Sequence, residues 1–157
     1  MPDGPRYDDD FYAWTQYQAR VLREMPAPDN RFDRENVAEE IESVGRNERD
    51  AVRSQVRRII EHCLKLAHSP AGEPRFGWMG SIANARAELE DKLSATLRED
   101  LAASLSTLYR RARKQAELSL REHQEDGAAA SLPAECPYTL DQILAEDWYP
   151  EPAGEKK

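Results

Sequence analysis

Very little in this chain is built for cross-linking, metal capture or membrane insertion. Only two cysteines, Cys63 and Cys136, stand in 157 residues. They form no spacing motif, which excludes a disulfide-stapled scaffold and makes reduced thiols in the cytoplasm the expected setting. Histidines number three, and Ile59, Lys65 and Leu120 occupy the positions three residues before them. The Glu-x-x-His pairs with which helical bundles hold two metals are therefore missing. His62 and His68, six apart, fall on different faces of a helix. No His-Glu-x-x-His, paired Cys-x-x-Cys or calcium loop is present, so neither metal nor cofactor is expected. The seven glycines are scattered, which removes a phosphate-cradling loop, and there is no Gly-x-Ser-x-Gly nucleophile turn. No apolar run approaches the ~20 residues that cross a bilayer. The start, Met1-Pro2-Asp3-Gly4, has neither the basic flank nor the apolar stretch of an export signal. Basic residues, 22 against 30 acidic for a net charge of −8, argue against wholesale binding to nucleic acid or anionic membrane.

What is present is helical periodicity, with 39% hydrophobic and 33% charged residues in a length that suits one domain with its own core. Phe11, Trp14, Gln18, Val21 and Met25 step by three and four, predicting a helix over 8–25. Asp8, Asp9 and Asp10 crowd its first turn against the positive end of the dipole. Pro26 ends it. A second helical region opens at Asp33 as N-cap, with Phe32 and Val37 placed for a hydrophobic staple. Its first half predicts Val37, Ile41 and Val44 in the core. Its second half offers Val52, Val56, Ile59, Ile60, Cys63 and Ala67. Between them the stripe jumps by one residue, roughly 100° of rotation, and the jump begins at Gly45. Either the helix kinks or breaks near Gly45-Arg46-Asn47, or its halves face different neighbours. An unbroken helix over 33–67 would run about 52 Å, against a diameter of about 39 Å for one compact chain, which favours the kink.

Residues 69–76 read as a loop. Trp78, Ile82, Ala85, Leu89 and Leu93 mark a third helix. Thr96 with Glu99 has capping-box spacing, predicting a turn at 94–96 and a fourth helix that buries Leu97, Leu101, Leu105, Leu108 and Ala112. Gly127 to Pro137 reads as a linker. Thr139 with Gln142 repeats the box and predicts a short helix from Leu140 to about Glu146, with Ile143, Leu144 and Trp148 docking it. Flexible ends are expected at 1–6 and 150–157, around a single domain over 7–149.

Three stretches carry a resemblance: Tyr7-Asp-Asp-Asp-Phe-Tyr-Ala-Trp-Thr, Glu35-Asn-Val-Ala-Glu-Glu-Ile-Glu-Ser-Val-Gly-Arg-Asn-Glu-Arg, and Cys136-Pro-Tyr-Thr-Leu-Asp-Gln-Ile-Leu. In that order, over about residues 7–150, the chain resembles the bacterial domain-of-unknown-function family twenty-nine. The resemblance implies a small all-helical fold and no established activity, and it supplies no catalytic or binding residue to carry over. Members often show a Ser-Pro-Ser-like break before the fourth helix. Ser94-Ala95-Thr96 stands there in this chain, without proline.

Candidate chemistry is sparse. Among Glu39, Glu40 and Glu42, the first and last lie opposite Val37 and Ile41 and are expected in solvent. Glu40 flanks the apolar stripe and is the better candidate for a shifted carboxylate. Glu48, Gln55 and His62 repeat at seven along one side of the second helix. There they form either a satisfied polar network or the wall of a cleft. Arg46, Arg49, Arg53 and Arg57 make a basic stripe, and Arg110, Arg113, Lys114 and Arg121 another. Like charges one turn apart favour acidic neighbours, for which Glu88, Glu90 and Asp91 are available. Cys63 reads as a small core residue. Cys136 precedes Pro137 near a helix start, where a thiolate would be favoured. The expectation is an all-α, up-and-down bundle of four main helices plus a short C-terminal one. It would act as a cytoplasmic binding or assembly module whose partner is another protein or a second copy. An enzyme or metal-binding protein with a cleft near Glu40, Glu48 and His62 is the alternative. Phosphate or nucleic-acid binding through Arg46, Arg49, Arg53 and Arg57 is a further one.

Overall fold

Asp10 opens the first helix, α1 (Phe11–Glu24), as its N-cap, its side chain accepting from the Ala13 N–H. The computed structural model describes residues 3–26 and 29–153. The three aspartates thus precede the helix instead of filling its first turn. The other carboxylate oxygen of Asp10 accepts the Thr96 N–H at 3.2 Å. Burial alone would raise the Asp10 pKa, but these bonds, with help from Ser94, outweigh it and hold the group below its ordinary value. The helix stops at Met25, one residue before Pro26. Tyr7, Phe11 and Trp14 form an aromatic cluster with centroids 4.8 to 5.9 Å apart.

The second helix, α2, runs unbroken from Arg34 to His68, 35 residues, or about 52 Å. The break expected near Gly45 does not occur. Residues 38, 45, 52, 59 and 66 are buried at a strict spacing of seven, with 56 and 63 between them, so the core stripe does not jump. Val37 and Val44 were expected in that core and are instead exposed. Asp33 is the cap, accepting from the Asn36 N–H at 3.4 Å. Phe32 and Val37, placed for a staple, are both left exposed. By contact the chain forms two compact units, 1–52 with 92–100, and 53–91 with 101–157. The helix contributes a segment to each.

Gly45 is buried in the first unit for a steric reason. A β-carbon there would overlap Thr15 Oγ1 and come within 2.7 Å of Gln16 Nε2. Gln16 in turn donates to the Glu42 carbonyl at 3.3 Å. The buried residues of α1 are Thr15 and Ala19, and in the facing part of α2 they are Ala38 and Gly45. Small side chains make this crossing, and the larger apolar residues lie beside it.

In the second unit, α3 (Arg75–Lys92) begins earlier than Trp78 and buries Ile82, Ala85, Leu89 and Arg86. The fourth helix, α4 (Ala95–Glu122), starts where the sequence places it, but its cap is Ser94, whose hydroxyl accepts from Leu97 at 3.2 Å, and not Thr96. It buries Leu97, Leu101, Leu108, Tyr109, Ala112, Ala116 and Leu120, while Leu105 is half-buried. At its end Glu125 N–H bonds to Leu120 O and Gln124 N–H to Arg121 O, the paired closure that requires a left-handed residue. Gln124 takes that conformation at φ 63°. The expected linker then holds a five-residue helix, α5 (Asp126–Ala130). The last, α6 (Leu140–Leu144), carries the full Thr139–Gln142 capping box foreseen for it. Ala153 N–H bonds to Ala67 O at 2.7 Å, and the outermost parts of the two expected flexible ends, 1–2 and 154–157, lie outside the described residues. Among the described residues there is no strand, and the all-α fold with four long helices stands as expected.

Candidate functional site

Because α2 turns Ala38 and Gly45 towards α1, its next apolar line is left facing solvent. Val37 is 36% exposed and Val44 49%, and Ile41 is half-buried. With Asp33, Asn36 and Glu40 they line a shallow groove of about 460 Å³ whose surface is almost wholly apolar.

The carboxylates of this stretch divide by side. Glu35, Glu39 and Glu42, on the flank towards α1, are all ion-paired with Arg23. Arg46 adds bonds to Glu39 at 2.6 Å and Glu42 at 3.4 Å. Glu42, expected in solvent, has a side chain only 22% exposed, held between two guanidinium groups. On the groove side the Asp33 carboxylate accepts, among the described residues, from Asn36. Glu40 and Glu48 have no cationic partner among the described residues.

Glu40 and Glu48 belong to the first unit and His62 to the second. Glu40 is exposed and Glu48 half-buried. His62 is pushed down to about 4, by burial first and then by Lys65 and Arg58. Among the described residues its Nδ1 is buried without a hydrogen-bond partner, as is Gln55 Oε1, and its Nε2 lies 3.9 Å from Glu61. Gln55 donates to Glu88 at 3.0 Å. Within the second unit, Gln55 and His62 therefore do not form a fully satisfied polar network. Among the described residues no three or more His, Cys, Asp or Glu side chains gather closely enough to hold a metal ion.

The arginines are mostly committed within the chain. Arg46 bridges Glu39 and Glu42, Arg49 pairs with Asp50 at 3.2 Å, and Arg53 is engaged as well. Arg57 is half-buried. On α4, Arg113 donates to Pro133 O at 2.9 Å and Leu132 O at 3.2 Å, beside the Tyr109 hydroxyl, which bonds to the same proline carbonyl. Arg121 pairs with Glu117 and Asp126. The acidic partners of Arg46, Arg49 and Arg121 are local ones, not the expected Glu88, Glu90 and Asp91.

The cysteines are not activated. Burial pushes the Cys63 thiol up to about 12. It also raises Cys136, whose S–H donates to the Tyr138 carbonyl, the reverse of the thiolate expected near α6. A five-residue helix has too little dipole to offset desolvation.

Arg86 is the residue the sequence reading passed over. Only 7% exposed, it donates to Ile143 O, Glu146 O and Gln142 O at 2.9 to 3.3 Å and lies over the Tyr149 ring. It satisfies the orphan carbonyls at the end of α6. The available signal was an arginine at i+4 from Ile82 and i−3 from Leu89, inside the buried face of α3.

The family model described as a domain of unknown function, DUF29, matches residues 6–149. The chain belongs to this family. DUF29 thus covers both units, and no curated protein matches the chain. A solved crystal structure from Rhodospirillum rubrum, described as an alpha-helical protein of unknown function, is similar. It has 28% identity and a TM-score of 0.79, with 92% of each chain covered. Among the described residues no helix is long and apolar enough to cross a membrane.

Proposed function

We propose that this DUF29 chain is a binding module that seats an apolar helix of a protein partner in the groove on α2, in a bacterial cytoplasm. The observation that carries the reading is the exposure of Val37, Ile41 and Val44 as one continuous line beside a separate, fully occupied core stripe. Spacings of four and three match the repeat of an incoming helix. Valine and isoleucine have few rotamers to lose on burial, so ordering them costs little. Several groups that an enzyme would use are held in unreactive states: both thiols are raised by burial. Arg46 and Arg49 already carry intrachain carboxylates, which weighs against phosphate or nucleic-acid binding through them. The two free cysteines and the bacterial source of the similar structure support the setting.

The test is fluorescence anisotropy with labelled helical peptides that carry leucine at i, i+3 and i+7. Saturable binding to the wild-type chain should weaken at least tenfold in the V37E/V44E double variant, with the thermal melt unchanged. Binding that is absent, or untouched by the two substitutions, overturns the reading.

A further inference from the structure

We infer that the partner helix is basic: an amphipathic helix whose aliphatic stripe is bordered by lysine or arginine. This rests on the docking role proposed for the α2 groove and adds the charge of the occupant. Along α2 the carboxylates fall into two sets. Glu35, Glu39 and Glu42 are neutralised by Arg23 and Arg46. Asp33 and Glu40, which line the groove, and Glu48, one turn beyond Val44, have no cation among the described residues.

The order along the groove is acid, apolar, acid, apolar, acid: Asp33, Val37, Glu40, Val44, Glu48. An incoming helix with leucines over Val37, Ile41 and Val44 brings its flanking positions against this rim. Lysine or arginine there gains Coulomb attraction in a surface that docking partly dries, whereas glutamate there is repelled. A second copy docked groove to groove would set these carboxylates against their own counterparts, since a twofold contact pairs one patch with itself. The net charge of −8 adds long-range attraction for a basic segment and none for an acidic one.

The experiment uses three synthetic 16-residue helical peptides with the same leucine stripe, flanked by lysine, glutamine or glutamate. Binding to the full chain is followed by anisotropy at low and moderate salt. The lysine peptide is expected to bind at least tenfold more tightly than the glutamate peptide, with an advantage that shrinks as salt rises. E40K/E48K should erase that preference or invert it. E90K, a reversal on the exposed surface of α3, should leave it in place and so separate the rim from net charge. V37E/V44E should abolish binding of all three.

Equal binding of the lysine and glutamate peptides, lost in V37E/V44E, leaves the docking groove standing and overturns the basic partner. A preference abolished by E90K as fully as by E40K/E48K also overturns it. Binding of no peptide overturns both readings. A wild-type dimer in sedimentation that V37E/V44E dissolves assigns the groove to a second copy and overturns the basic helix.

Discussion

Gly45 shows how one missing side chain sets a helix crossing. The α1 residues Thr15 and Gln16 occupy the space that a β-carbon would need, and both helices are held there by Gln16 bonding to the Glu42 carbonyl. Gly45→Ala removes about 1 kcal/mol of backbone entropy cost in the helix, but it forces overlap in a packed contact, which costs about 1–3 kcal/mol. Overlap with a side chain anchored to its own helix should win, and urea denaturation is expected to show a net loss of about 1–2 kcal/mol. A Gly45→Ala chain more stable than wild type would mean that the helices can separate freely. His62 makes the second prediction at this scale. Its folded pKa lies near 4 against 6.5 in the open chain. The unfolded chain therefore takes up a proton that the folded one refuses, and stability is complete above pH 6.5 and falls as pH drops towards 4. A shift of this size amounts to about 3 kcal/mol. Comparing urea curves at pH 7 and 4.5, His62→Gln should lose less stability on acidification than wild type. Parallel losses would place the acid sensitivity elsewhere.

At the scale of the element, α2 carries two apolar lines one residue apart, and only one of them is core. Val52 is 1% exposed, whereas Val44 is 49% exposed. Val52→Ala should cost about 1–3 kcal/mol by transfer and cavity terms together. Val44→Ala should fall within about 0.5 kcal/mol of wild type, as exposed positions do. Thermal melts of the two variants check the assignment, and equal losses would return Val44 to the core. The same comparison explains why periodicity points to a shift in this helix. Large apolar side chains signal burial more strongly than small ones, so Val37, Ile41 and Val44 outrank Ala38 and Gly45. Where two helices approach closely, the buried residues are the small ones, because only they let the backbones meet. In α1 likewise the buried residues are Thr15 and Ala19, while Phe11, Trp14 and Val21 are half-buried. The caps were more legible. Asp33 and the Thr139–Gln142 box act through bonds within three residues, so local spacing determines them. Ser94 displaced Thr96 because the Thr96 N–H was already taken by Asp10, a bond spanning 86 positions that no local pattern contains.

For the molecule as a whole, the two units are stabilised by different materials. Among the described residues, the buried apolar side chains of the first are Ala19, Ala38, Val52 and Leu97. The second buries Val56, Ile59, Ile60, Leu64, Leu66, Ile82, Leu89, Leu101, Leu108 and Tyr109, among others. With about 0.8 kcal/mol per buried methylene, the second unit has the larger hydrophobic reserve. Local opening follows that reserve. Amide hydrogen exchange should therefore be slower in 56–66 and 101–116 than in 11–24 and 34–45. Equal protection across these segments would show that the small-residue crossing contributes as much as the aliphatic core.

Composition and periodicity alone settled that the chain is helical and where most helices begin and end, because those properties follow from neighbours a few residues apart. The acidic balance was legible for the same reason. Tertiary structure decided which of two adjacent apolar lines was buried, which carboxylates were neutralised and which thiols were silenced. The first two depend on residues far away in sequence, Thr15 against Gly45 and Arg23 against Glu42, and the thiols are silenced by burial. The groove on α2 stays open because the first of these contacts gives Ala38 and Gly45, and not Val37 and Val44, to the core.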